Sequence, residues 1–167
     1  ALRASAYGPL QIMFPMVGSL EDIRKAKEYL NLAKEQLKER KQQFDEQIRI
    51  GIMIEIPAIA LIADLAAEEV DFASIGSNDL TQYLSAADRM NPEVAAYYKS
   101  DSTAMLRLLG FVFREFSKRE KEISVCGEMA GNPETAQLLV GLGARKLSMS
   151  SGNIAGVKAK LAECTLQ

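Results

Sequence analysis

Short apolar runs alternate with longer stretches whose apolar residues recur every three or four positions. Residues 10–16 are apolar and predict a buried strand. Ser19 stands where an N-cap belongs, with Asp22 at the capping-box position. Ile23, Ala26, Leu30, Ala33 and Leu37 follow at helical spacing between Lys, Glu and Gln, which predicts a long helix with one solvated side. Residues 48–56 predict a second strand, and Pro57 suits the first turn of a helix ending near residue 68. Residues 71–75 predict a third strand, residues 76–79 a turn, and the segment up to Tyr98 irregular or helical structure. A helix is expected over residues 102–118, with Leu106, Leu109, Val112, Phe113 and Phe116 facing inward. Residues 122–126 and 146–149 predict the last two strands. Gly131-Asn132-Pro133 opens a helix between them, and residues 153–163 form a closing one.

Strands alternating with helices imply a parallel sheet, and strands apolar throughout imply burial on both faces. Five such units fit an open doubly wound sheet or the larger part of a (β/α)8 barrel. The polar residues cluster at the C-terminal strand ends: Glu55 after the second, Ser77, Asn78 and Asp79 after the third, Cys126 and Glu128 after the fourth, Ser148 and Ser150 after the fifth. In parallel α/β folds those ends share one ligand-binding rim. No glycine-rich dinucleotide or P-loop turn is present, which speaks against nucleotide binding.

The 167 residues, 48% apolar and 25% charged with a net charge of −2, suit one domain with a sizeable core. Acids and bases are mixed along the chain, which argues against nucleic acid or an anionic membrane as partner. No apolar run spans a bilayer and residues 1–6 lack a signal core, so a cytoplasmic protein without membrane insertion is expected. Cys126 and Cys164 form neither a disulfide framework nor a zinc pattern. The chain holds no histidine, so a histidine triad, a histidine metal ligand and a phosphohistidine are all excluded within it.

Each candidate residue has two readings. Glu55 and Asp79 are hard oxygen donors suited to Mg2+, unaccompanied by nitrogen or sulfur ligands. Alternatively, Glu55 pairs with a buried base, and Asp79 caps a helix. Arg89 neutralises an anion or is simply solvated. Cys126 exchanges a proton or packs as a small hydrophobe. Cys164 reads as structural.

Taken together, several motifs are more specific than any one of them. Gly51-Ile52-Met53-Ile54-Glu55-Ile56-Pro57, Asp71-Phe72-Ala73-Ser74-Ile75-Gly76-Ser77-Asn78-Asp79-Leu80-Thr81-Gln82-Tyr83, Asp88-Arg89 and Cys126-Gly127-Glu128-Met129-Ala130-Gly131 resemble enzyme I of the phosphoenolpyruvate-dependent sugar phosphotransferase system. The resemblance begins at Ala4-Ser5-Ala6-Tyr7-Gly8 and Ile12-Met13-Phe14-Pro15-Met16 and reaches Leu147-Ser148-Met149-Ser150. It implies the C-terminal part, about five βα units, of a (β/α)8 barrel that binds phosphoenolpyruvate. It implies Mg2+ on Glu55 and Asp79, substrate contacts from Asn78, Asp79 and Arg89, and proton delivery to the enolpyruvate by Cys126. It also implies a homodimer, pyruvate as product, and a phosphocarrier protein served through a phosphohistidine domain outside residues 1–167.

On this view the earlier barrel strands and their phosphate-binding arginines also lie outside the chain, which is expected to be inactive alone. Ile56 stands where the family has threonine, so a hydroxyl is missing beside a metal ligand. Two alternatives remain. One is an assembly module whose open barrel edge self-associates. The other is a relative of pyruvate phosphate dikinase or phosphoenolpyruvate synthase, or an aldolase-type barrel using magnesium.

Overall fold

The computed structural model describes residues 1–164. A short helix α1 (Leu2–Ser5) precedes β1 (Gln11–Phe14) and the long α2 (Leu20–Glu39). Then come β2 (Arg49–Ile54), α3 (Pro57–Leu61), α4 (Ala63–Glu69), β3 (Phe72–Gly76) and α5 (Ser77–Ser85). A 3-10 segment (Pro92–Tyr97) leads into α6 (Thr103–Lys118) and β4 (Glu122–Cys126). The last elements are α7 (Glu128–Gly131), α8 (Pro133–Gly141), β5 (Lys146–Leu147) and α9 (Ser151–Ala162).

The predicted capping box forms at α2: the Asp22 N–H donates to Ser19 Oγ at 3.2 Å, and the Ser19 N–H donates to the Asp22 carboxylate at 2.9 Å. Two expectations are corrected in shape. The helix after Pro57 is two helices, broken at Ile62, whose φ and ψ of −116° and 34° fit neither. Residues 76–79 are not a free turn, because β3 runs through Gly76 and α5 begins on the next residue. That abrupt strand-to-helix step turns the first residues of α5 onto the rim.

All five strands are parallel, and their spatial order is β1-β2-β3-β4-β5. A doubly wound sheet reverses its order at a switch point, whereas a barrel adds each strand beside the last. Sequential order therefore decides for a partial barrel. β1 and β5 each have one strand neighbour.

Alternate strand residues Ile52, Ile54, Ala73, Ile75 and Val125 join the core beneath the helices. There they meet Leu109, Val112, Phe113 and Phe116 of α6, as the sequence pattern required, whereas Leu106 is only partly buried. Phe116 is fully buried, and its truncation to alanine is expected to cost about 3–5 kcal/mol. Burial on both faces holds only for β3; β1 alternates between exposed and half-buried residues.

The opposite, concave face is layered. At the strand starts Glu122 bridges Lys146 at 2.8 Å and Arg49 at 3.8 Å, and these bases, Lys146 first, hold its carboxyl below the usual range. In register with Glu122, the Phe72 ring lies across Gly51, whose added Cβ would fall 2.5 Å from that ring. At the top, the strand ends carry the polar residues.

Candidate active site at the strand ends

Glu55 follows β2 directly and is 4% exposed. The Met16 N–H donates to its Oε1 at 2.7 Å. Met16, just past β1, has φ of +53°, a left-handed conformation that a side chain disfavours. The other carboxylate oxygen lies over Gly76, where an added Cβ would approach Oε2 to 2.8 Å. Gly76 has an ordinary φ of −81°, so space is what demands glycine there. Among the described residues no lysine or arginine pairs with Glu55, so its partner is a backbone donor and not the buried base considered above.

Ser77, Asn78 and Asp79 form the first turn of α5. Asp79 is therefore inside the helix and does not cap it, since Gly76 is the N-cap. Strand pairing of Ile54 with Ile75 places Glu55 and this first turn side by side at the ends of neighbouring parallel strands. Arg89, beyond the left-handed Ala86 that ends α5, comes back to within 3.6 Å of Asp79. Its own N–H donates to Gln82 Oε1 at 3.1 Å.

A second group ties β3 to β4. The Ser77 hydroxyl donates to the Cys126 carbonyl at 2.7 Å, and the Glu128 N–H donates to Asn78 Oδ1 at 3.0 Å. Between them Gly127 has φ of +93°, and a Cβ there would fall 2.6 Å from Ser77 Oγ. The half-buried Cys126 thiol donates to the Ile75 carbonyl at 3.4 Å. Asn78, Cys126, Glu128, Ser148, Ser150 and Asn153 border an open cleft of about 390 Å3. Glu55, Asp79 and Arg89 do not line that cleft but flank it on the β2–β3 side. A larger hollow of about 610 Å3 lies beside Arg3, Tyr7 and Gln42, at the other end of the strands, and no candidate residue reaches it.

Sequence reasoning missed two contributors. The Met16 donor is a backbone group and leaves no side-chain signature. Tyr98 donates its hydroxyl to the Asn78 carbonyl at 3.2 Å. Burial, then the Glu128 carboxylate, pushes its ionisation above the usual tyrosine range, while Arg89 pulls the other way. Its signal was an aromatic residue near the end of a long polar connection.

The donor set suits a hard divalent cation. Among the described residues no cluster of three or more acidic, Cys or His side chains surrounds a point. Two carboxylates at one rim can hold Mg2+, which keeps water and accepts substrate oxygens in its remaining positions. The Gly76 gap that admits Glu55 fits that use.

Comparison with known proteins shows the family. Residues 1–166 match the model of the PEP-utilising enzyme, PEP-binding domain family. The chain is 48% identical over 162 residues to Multiphosphoryl transfer protein 2 of Escherichia coli, covering 97% of this chain and 19% of that protein. It is 46% identical over 160 residues to the phosphoenolpyruvate-protein phosphotransferase of Priestia megaterium, covering 96% and 28%. With the Bacillus subtilis protein of the same name the identity is 43% over 166 residues, covering 99% and 29%. The chain thus spans less than a third of the length of these curated relatives.

Among solved structures, a citrate lyase from Burkholderia xenovorans is similar with a TM-score of 0.65 at 19% identity, over 98% of this chain and 52% of that one. An HpcH/HpaI aldolase from Desulfitobacterium hafniense is similar with a TM-score of 0.55 at 17% identity, over 90% and 61%. At those identities the likeness establishes the fold. The family match over nearly the whole chain, on a partial parallel barrel with its polar residues gathered at one rim, places this protein among the PEP-utilising enzymes.

Proposed function

We propose that this chain supplies the magnesium side of the rim at which a phosphoenolpyruvate-protein phosphotransferase passes the phosphoryl group of phosphoenolpyruvate to a protein histidine. The observation that carries the reading is the neighbouring placement of Glu55 and the Asn78–Asp79 turn at the ends of β2 and β3. A bound Mg2+ would withdraw charge from the transferring phosphoryl group. Glu55 and Asp79 hold that ion, Asp79 also facing the substrate. Arg89 and the Asn78 amide orient the phosphate oxygens, Arg89 contributing a fixed positive charge. When the P–O bond breaks, the electron pair stays on the enolate oxygen and the phosphorus bonds to the histidine nitrogen. The enolate then takes a proton at C3 from the Cys126 thiol, giving pyruvate, and solvent reprotonates the thiolate.

The acceptor histidine lies outside this chain, which has none. Among the described residues β1 and β5 each have a single strand neighbour, which supports a barrel completed by further strands; by resemblance, those strands bring additional phosphate-binding arginines. By resemblance, the whole protein is a homodimer serving a phosphocarrier protein. Residues 1–167 alone are then incompetent for transfer. Incubating the isolated chain and the intact protein with Mg2+ and 32P-labelled phosphoenolpyruvate tests this. Label is expected on the intact protein only; stable self-phosphorylation of the isolated chain contradicts the reading.

A further inference from the structure

We infer that the left-handed turn at Met16 is a positioning device: its N–H holds Glu55 Oε1 so that Oε2 alone meets the cation, which selects a small octahedral ion over calcium. This rests on the reading of Glu55 as a metal ligand.

Met16 adopts φ of +53° although it is not glycine. Its side chain does not hold it there, since the residue is 53% exposed. What the conformation achieves is an N–H aimed at Glu55, 2.7 Å from Oε1. Bonds from N–H to a carboxylate are the strong kind, and this one lies at a residue only 4% exposed. Among the described residues no donor reaches Oε2. Among the described residues no fully buried side-chain oxygen lacks a partner, so the unpartnered Oε2 is not sealed off but keeps some exposure at the rim. The two oxygens are thus unequal before any ion arrives: one is tied to the backbone and one is free. The bare Cα of Gly76 leaves room for the free one, because a Cβ there would meet it at 2.8 Å.

A carboxylate with one oxygen engaged is a single-oxygen ligand. Mg2+ and Mn2+ accept that in a compact octahedron, whereas Ca2+ gains from taking both oxygens of a carboxylate into a larger shell. Groups hydrogen-bonded to a metal ligand in this way commonly change metal affinity about 10- to 100-fold. Loss of the Met16 bond frees Glu55 to chelate with both oxygens. Affinity for the small ion then falls while calcium is much less affected.

The test uses the intact protein and Mn2+, read by electron paramagnetic resonance, with Ca2+ as competitor. Met16→Gly accepts the left-handed φ and is expected to bind Mn2+ within about twofold of wild type. Met16→Val disfavours that φ and is expected to weaken Mn2+ about tenfold while its preference for Mn2+ over Ca2+ shrinks. Equal weakening of both ions, or none, overturns the proposal, because a purely structural turn predicts no change in preference.

Hydrogen–deuterium exchange at the Met16 amide gives a reading that needs no fold-sensitive variant. The amide is expected to stay protected when Mn2+ saturates the site, since Oε1 remains on the N–H. Loss of protection on Mn2+ binding shows that both oxygens have gone to the ion and overturns the device. The underlying metal reading is tested separately by Glu55→Gln: unchanged Mn2+ affinity there removes Glu55 from the site altogether, whereas lost affinity with a protected amide supports both.

Discussion

Arg89 Nη1 lies 3.6 Å from Asp79 Oδ1, so the base assigned to the phosphate and the acid assigned to the cation already neutralise one another. Both side chains are about a third or more exposed, so the pair contributes at most about 1 kcal/mol. A cation and a phosphate arriving together replace that pair with two better ones. Arg89→Gln is therefore expected to tighten Mn2+ binding about two- to fivefold without substrate, because Asp79 loses its competitor. The same change is expected to raise the KM for phosphoenolpyruvate about 10- to 100-fold. Mn2+ titration and steady-state kinetics check the two effects, and weaker Mn2+ binding in the variant contradicts the exchange.

The concave layer predicts a compensating pair. A Cβ on Gly51 would fall 2.5 Å from the Phe72 ring, which Arg49 also covers at 5.6 Å. Gly51→Ala is expected to destabilise the protein by about 1–3 kcal/mol through overpacking. Adding Phe72→Leu is expected to recover part of that loss, although the second change is harmful alone. Denaturant midpoints for the two single variants and the double variant measure the coupling.

Cys126 is the proposed proton donor, and its thiol makes one weak bond, to the Ile75 carbonyl at 3.4 Å. Cys126→Ala is expected to lower turnover about 10²- to 10⁴-fold with little change in stability or Mn2+ affinity. Turnover retained within about tenfold would return Cys126 to the role of a small packed residue.

Away from the rim, Glu115 on α6 is 7% exposed and bonds Lys118 at 2.9 Å, Arg119 at 3.2 Å and Arg114 at 3.3 Å. Lys118 chiefly, with the two arginines, holds its carboxyl below the usual glutamate range against the opposing effect of burial. Its folded pKa therefore lies below the unfolded value, which is about 4.3. The stabilisation is complete above that value and is lost as pH falls through the folded pKa. Glu115→Gln is expected to be less stable than wild type at neutral pH, and the two are expected to converge as the medium becomes strongly acidic. Chemical denaturation across that range measures the difference.

Apolar periodicity was enough to find the five strands and the inward face of α6, because burial of Leu109, Val112 and Phe116 repeats at the helical period. It overstated β5, which is two residues long. It also predicts a turn over residues 76–79, where strand and helix abut, since glycine there answers to the Glu55 carboxylate and not to a turn. The rim acids stood out because polar residues interrupt apolar strands at their ends. What holds them did not, because the Met16 N–H and the Tyr98 hydroxyl act from segments whose side chains gave no pattern. Sequential strand order, which decided between the barrel and the doubly wound sheet, is a property of the folded chain alone.

The central claim is that Glu55 and Asp79 grip one and the same ion. A double-mutant cycle of Mn2+ affinity on the intact protein, with Glu55→Gln, Asp79→Asn and both together, tests it most directly. A shared ion predicts that each single change lowers affinity steeply and that the double variant loses far less than the sum. Independent, additive losses, or a single variant that binds Mn2+ as wild type does, would contradict it.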